Sequence, residues 1–356
     1  DYQTASMAVI EPTDGRTQLM SAFTASSQVG IKTRGSSTSG RSKASLSLEV
    51  QDEFGQDRNL SLLGMPNESD WVLWGPYNFD LTLMHNPFIF ELSRQIGRYA
   101  PRTRFVELYL NTGGGALSSS DYYGVYALME KISRDADRVD VERLFEEHKK
   151  EPDVSGGYIF KIDRSDPGDS GFGAAGQNIK YVYPKEEEIE RPELDAQQQY
   201  VRQFFNEMGT ALNASYFKDP KRGYAKYIDV DAAIDHHLLN VVAFNVDALR
   251  LSGYMHKPRG GKLTFGPIWD FDRALGSTDG RDNNPRTWRS TSSDRGTDFF
   301  NYPWWKQMFK DIDFFQKYID RFQSLRRAEF SKANINTIID GMANELKEAQ
   351  RRDLAK

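Results

Sequence analysis

Cysteine is absent from this 356-residue chain, which removes disulfides, thiolate zinc sites and cysteine nucleophiles together. The five histidines, His85, His148, His236, His237 and His256, have spacings that build no zinc site, and the adjacent pair reads as facing different sides of a helix. No apolar run approaches the roughly 18–20 residues a membrane-crossing helix needs, and no basic-then-apolar leader opens the chain. A Gly-x-Ser-x-Gly elbow is missing, and the glycine run at 113–115 reads as a flexible loop. Neither sign of charge dominates. Against 51 Asp and Glu stand 46 Lys and Arg, a net −5, so nothing pulls the chain globally toward nucleic acid or an anionic membrane. The ends, Asp1 and a Lys356 inside a helical pattern, read as those of a trimmed piece.

What is present suffices for packed interiors: 38% apolar and 13% aromatic residues over a length that suits two lobes. Residues 29–50 read as two strands, with Val29, Ile31 and Thr33 alternating before a Gly- and Ser-rich turn and Leu46, Leu48 and Val50 after it. A helical pattern runs from about Thr82 to Ile96, and strands are expected at Arg104–Leu110, Gly124–Ile132 and Tyr158–Asp163. Arg134–Glu147 reads as a polar helix, and the glycine-rich stretch 165–176 as a mobile loop. Helices are expected at about 192–213, 230–246, 303–326 and 331–354, interrupted by a hairpin at 251–268. Residues 277–299 are polar, hold four arginines and lack periodicity. Strands early and helices late predict an α+β, two-lobed enzyme: a β-rich lobe at 1–132 and a mainly helical lobe at 133–356.

Ile268-Trp269-Asp270-Phe271-Asp272 carries the strongest chemical signal. Two carboxylates two residues apart at a strand end suit a hard cation such as Mg2+, which keeps water and phosphate oxygens as further ligands; a capping Asp at an ordinary strand exit is the competing reading. Asp247 lies 23 positions earlier, at the end of a helix and across a hairpin that returns toward Asp270. That order parallels the protein-kinase plan of a catalytic-loop Asp followed by a metal-holding Asp before Phe, with Ser252 standing where kinases place a second metal ligand. The Arg34–Ser42 turn, with Ser36, Ser37 and then Lys43, offers N–H groups, hydroxyls and cations to phosphate, or is a plain hairpin turn. Glu91 is placed for an ion pair with a lysine or for a solvated helix face. Tyr126–Lys131, including Glu130, has the look of a strand leading into an interlobe hinge, a segment that in kinases offers backbone groups to adenine, and Trp269 is either a base-stacking ring or core.

Taken in order, these blocks resemble the CotH family, named for a bacterial spore-coat kinase and found in other secreted or surface proteins. The resemblance spans about residues 28–350. It rests on Arg34-Gly35-Ser36-Ser37 with Lys43, Leu63-Gly64-Met65-Pro66, Leu83-Met84-His85-Asn86 with Glu91-Leu92-Ser93-Arg94, and Ala100-Pro101-Arg102. Gly124-Val125-Tyr126-Ala127-Leu128-Met129-Glu130-Lys131, Gly156-Gly157-Tyr158 and Gly266-Pro267-Ile268-Trp269-Asp270-Phe271-Asp272 complete it. The resemblance implies an atypical protein-kinase fold that phosphorylates protein Ser or Thr hydroxyls with ATP and Mg2+, or Mn2+ or Ca2+ in its place. By position it makes Asp247 the catalytic acid, Asp270 a metal ligand with Asp272 and Ser252 beside it, and Lys43 the family lysine after the Arg-Gly loop, from which we infer its contact with phosphate. It also implies a secreted or surface location. The chain departs from the pattern at His85, where Arg is commoner, at Ser36, where Asn is usual, and at Ser252, which replaces a frequent Asn. Transfer of AMP on a kinase-like fold, and a non-catalytic surface adhesion module, are the alternatives.

Overall fold

Alternating apolar side chains build the first sheet. Strand β1 (Gln3–Val9) pairs with β2 (Ala25–Arg34), and β2 pairs with β3 (Ser45–Gln51). Val29 lies opposite Val50, Ile31 opposite Leu48 and Thr33 opposite Leu46, so the two alternations meet across the ladder. Strand β4 (Asp70–Trp74), helix α1 (His85–Gln95), and strands β5 (Thr103–Tyr109) and β6 (Tyr122–Glu130) follow. All pairings are antiparallel, in the order β1-β2-β3-β4-β6-β5. One face buries Val50, Leu62, Met65, Trp71 and Tyr126 as a core. The computed structural model describes residues 2–13, 15–35, 38–76, 79–166, 168–287 and 298–354.

The second sheet contains β7 (Tyr158–Ile162), β8 (Gly171–Ala174), β9 (Gln177–Tyr183), β10 (Gly253–Lys257) and β11 (Thr264–Phe265), ordered β11-β10-β7-β9-β8 and again antiparallel. Its aromatic core includes Phe160 edge-on to Phe205 at 5.2 Å. Phe205 belongs to α3 (Asp195–Asn213), which follows the short α2 (Glu186–Ile189) and buries Val201, Phe205, Met208 and Leu212 at helical spacing along one face. Helix α4 (Val230–Ala243) is enclosed along most of its length, His236 and His237 included. Burial pushes these rings down to about 4 and about 3, so both stay neutral. His237 is held between the Tyr318 hydroxyl and the Phe299 carbonyl, each at 2.9 Å. Both rings are therefore packed in the interior. Helices α5 (Trp305–Met308), α6 (Ile312–Arg327), α7 (Lys332–Leu346) and α8 (Ala349–Asp353) complete the chain. Among the described residues no helix is long and apolar enough to cross a membrane.

The chain thus combines α-helices with curled antiparallel sheets, and it divides into two compact units. The first holds Asp1–Pro87, Pro101–Lys131 and Gly341–Lys356; the second holds Phe88–Ala100 and Ile132–Asp340.

Two expectations are corrected. Residues 134–147 contain no helix. Asp135 takes the Asp137 and Arg138 N–H groups into a tight turn, while Val139 and Val141 enter a core with Ile132 and Ile159. An Asp that bonds its own downstream backbone competes with helix formation. Likewise, 165–176 is not simply a loop, because Gly171–Ala174 is strand β8. Its turn to β9 uses Ala175 and Gly176, at φ 49° and 75°, the left-handed pair that a two-residue hairpin demands.

Candidate functional site

Helix α4 delivers Asp247. The Asp229 carboxylate caps its start by accepting from the Ala232 N–H at 3.0 Å. At the other end Phe244 turns left-handed, at φ 50°. Asn245 then bonds in two directions: its amide donates to the Asn240 side chain at 3.2 Å, and its oxygen accepts the Asp247 N–H at 3.1 Å. Beyond the β10–β11 hairpin the chain returns to this exit. Leu275 N–H donates to the Ala243 carbonyl at 2.8 Å, and Val246 N–H to the Arg273 carbonyl at 3.3 Å. These two bonds staple the segment after α4 to the segment that carries Asp270 and Asp272.

The acids consequently share one electrostatic environment. The Asp272 carboxyl is held well above the ordinary range, first by burial, then by the charges of Asp270 and Asp247, with Arg273 opposing. Ser252 donates its hydroxyl to the Asp270 carboxylate at 3.4 Å. Asp247 is bracketed by guanidinium groups. Arg250 makes a short ion pair with it, and Arg273 and Arg281 each approach to 3.8 Å. Asp279 joins Arg281 to Arg273, at 2.8 Å and 3.7 Å. Asp282 pins this turn by accepting from the Gly276 and Ser277 N–H groups at 2.9 and 2.7 Å.

Backbone strain collects here. Among the described residues, nine non-glycine positions have positive φ; five of them, Phe244, Leu249, Ser252, Asp270 and Leu275, lie between 244 and 275. Each such conformation costs about 1–2 kcal/mol for an ordinary side chain, and strain of this kind gathers where geometry serves a site.

Among the described residues, no three or more His, Asp or Glu side chains form a preformed metal cage. The donor set on offer is the pair Asp270 and Asp272. A pair suits a magnesium-like ion that retains water and phosphate oxygens in its shell. The residues fit such an ion: the like-charge stress on Asp272 is what a divalent cation would relieve.

Arg34 ends β2, paired with Ser45, while Ser36 and Ser37 lie outside the described residues. Lys43 forms an ion pair at 2.7 Å with Asp353 of α8. Glu91 bonds Arg94 and Gln95 of its own helix, at 2.6 and 3.0 Å. Glu130 is fully buried, takes Arg102 at 2.5 Å, and sends its N–H to the Arg102 carbonyl. Because β6 is flanked by β4 and β5, residues 127–129 spend their backbone groups on neighbouring strands. The strand expected to lead into a hinge is thus β6, an interior strand of the first sheet. Trp269 stacks on Phe90 at 5.9 Å and meets Tyr254 at 6.4 Å. Sequence reasoning left out Arg250, Arg273, Asp279 and Arg281. The first two sit within three positions of expected acids, a charge clustering that was open to view, whereas the Asp279 turn had no local signal.

Fold and site together define a mixed α and β protein in which the segment of paired acids after a hairpin is bonded to the turn that carries an arginine-bracketed acid after a helix. The family described as CotH kinase protein matches residues 31–356, and the chain belongs to the CotH family. A search of the curated proteins finds no match.

Proposed function

We propose that this chain is a metal-dependent kinase of atypical protein-kinase fold, transferring the γ-phosphoryl group of ATP to Ser or Thr hydroxyls of a protein. The observation that carries this reading is the pair of backbone bonds, Leu275 to Ala243 and Val246 to Arg273, that ties the segment of Asp247 to the segment of Asp270 and Asp272, in a chain of a family described by kinase activity. When bound, a divalent cation supplies charge neutralisation for the phosphates. Asp270 and Asp272 would hold it, with the Ser252 hydroxyl beside Asp270. Asp247 accepts a hydrogen bond from the acceptor hydroxyl and orients it, while Arg250, Arg273 and Arg281 fix the direction of its carboxylate. Catalysis on this scheme is positioning and electrostatics. A secreted or surface location accompanies the proposal on family resemblance alone.

Mass spectrometry of a protein acceptor incubated with the chain, Mg2+ and ATP tests the reaction type. The expected product gains about 80 Da per modified Ser or Thr, the mass of a phosphoryl group. A gain of about 329 Da would instead mean adenylyl transfer on the same scaffold. Absence of any magnesium-dependent ATP binding would favour an adhesion module.

A further inference from the structure

Lys43 is the cation of the first unit that the kinase reading gives to phosphate, and its surroundings are built with unusual closeness. Its ammonium and the Asp353 carboxylate are 2.7 Å apart, with only 10% and 14% of the two side chains exposed. The same Asp353 oxygen accepts the Val125 N–H at 2.7 Å. Directly beneath lies Gly124, at φ 119°, where a Cβ would stand 2.5 Å from that oxygen and 3.4 Å from the Lys43 Cε. Only glycine admits the carboxylate at this depth. Helix α8 is anchored by the residues that precede the contact. Arg352 forks onto Glu107 at 2.7 and 2.6 Å, and Leu346 and Ala349 pack with Leu83, Val125 and Phe105.

We infer that Asp353 is a positioning residue for Lys43: from α8 it fixes the lysine ammonium over Gly124. The alternative, a lid that masks the lysine, fits the contacts less well. To leave, Asp353 must give up a charged partner and a backbone donor while Arg352 and the Ala349 packing still hold its helix. The role of Lys43 toward phosphate rests on the proposed function, whereas the ion pair that places it does not.

The charge on Lys43 depends on the same arrangement. Burial lowers this lysine, and Asp353 and then Asp80 counteract it. The Tyr126 ring lies 5.6 Å from the ammonium, its hydroxyl turned to the Ala44 carbonyl, and Tyr123 stacks on Tyr126. Removing Asp353 leaves Asp80 as the remaining carboxylate acting on Lys43.

The test uses two variants, Asp353→Asn and Gly124→Ala, the second displacing the carboxylate while keeping both charged residues. Acetylation of Lys43 by acetic anhydride, followed across pH by mass spectrometry, is expected to show its midpoint moving to lower pH in both. Calorimetric titration with magnesium-ATP is expected to show binding weakened about tenfold, the scale of one charge-assisted hydrogen bond. An unchanged Lys43 labelling profile in natively folded Asp353→Asn would overturn the inference. So would tighter nucleotide binding, which would make Asp353 a competitor, or loss of native circular dichroism in Asp353→Asn, which would make it a structural brace. If the unaltered chain binds no magnesium-ATP, the kinase reading fails, and the labelling profile alone still decides whether Asp353 places Lys43.

Discussion

Asp270→Asn is expected to lower phosphoryl transfer at least about 10²–10³-fold, the loss typical of removing one preorganised electrostatic contact at a reacting centre. The same change should leave the apo protein as stable as before or slightly more stable. Asp270 adds to the like-charge stress on the half-buried Asp272 carboxyl, and neutralising it removes part of that stress. Asparagine also suits the backbone, because Asp270 has φ 63° and Asn enters the left-handed region as readily as Asp. Activity falling while the melting temperature holds or rises is the signature of a site that trades stability for function. Asp247→Asn should differ. It withdraws the charged partner of Arg250 and a neighbour of Arg273 and Arg281, so activity and stability should fall together. Parallel steady-state assays and thermal unfolding of the two variants check this. Equal activity in Asp270→Asn and the unaltered chain would remove Asp270 from the mechanism.

Asp235→Ala is expected to produce the largest loss of stability from a single exchange outside the site. Asp235 is 2% exposed on α4, the helix that ends at the Asp247 turn. Its oxygens receive Arg98 Nε at 2.8 Å and Arg321 Nε at 2.7 Å, and Arg321 also reaches the Ile96 carbonyl at 3.2 Å. Removing one member of a buried ion pair strands the others without their counter-charge, which costs about 3–5 kcal/mol when all partners are enclosed. The two guanidinium groups here are about one-third exposed, at 32% and 36%, and water would soften the loss to about 2–4 kcal/mol. Asp235→Asn keeps an acceptor and should lose less. Denaturant unfolding of both variants, fitted with a common slope, gives the comparison. A change under about 1 kcal/mol in Asp235→Ala would mean that the arginines find other partners.

The elements that were legible in the sequence are those held by local periodicity. The β2–β3 pairing followed from alternating Val, Ile and Leu, and α3 from its spaced apolar face. Turn chemistry was harder to read. Ala175-Gly176 closes a hairpin without the usual Asn-Gly or Asp-Gly pair, and the Asp135 turn displaced an expected helix because its side chain bonds the backbone. At the site, the order of Asp247, Asp270 and Asp272 along the chain was visible, yet their approach depends on the staple from Ala243 to Leu275, which no local pattern encodes. The partner of Lys43 was out of reach for the same reason: Asp353 lies 310 residues away, and the small residue that admits it, Gly124, looks like any hairpin glycine until its φ is known.

One titration bears most directly on the three-acid site. A non-hydrolysable ATP analogue is added to the unaltered chain and to Asp270→Asn by calorimetry, with and without Mg2+. Tight binding that requires Mg2+ in the unaltered chain, and that loses its magnesium dependence in Asp270→Asn, is the result this account predicts. Binding that is indifferent to Mg2+ in the unaltered chain, or equally magnesium-dependent in both proteins, would contradict it.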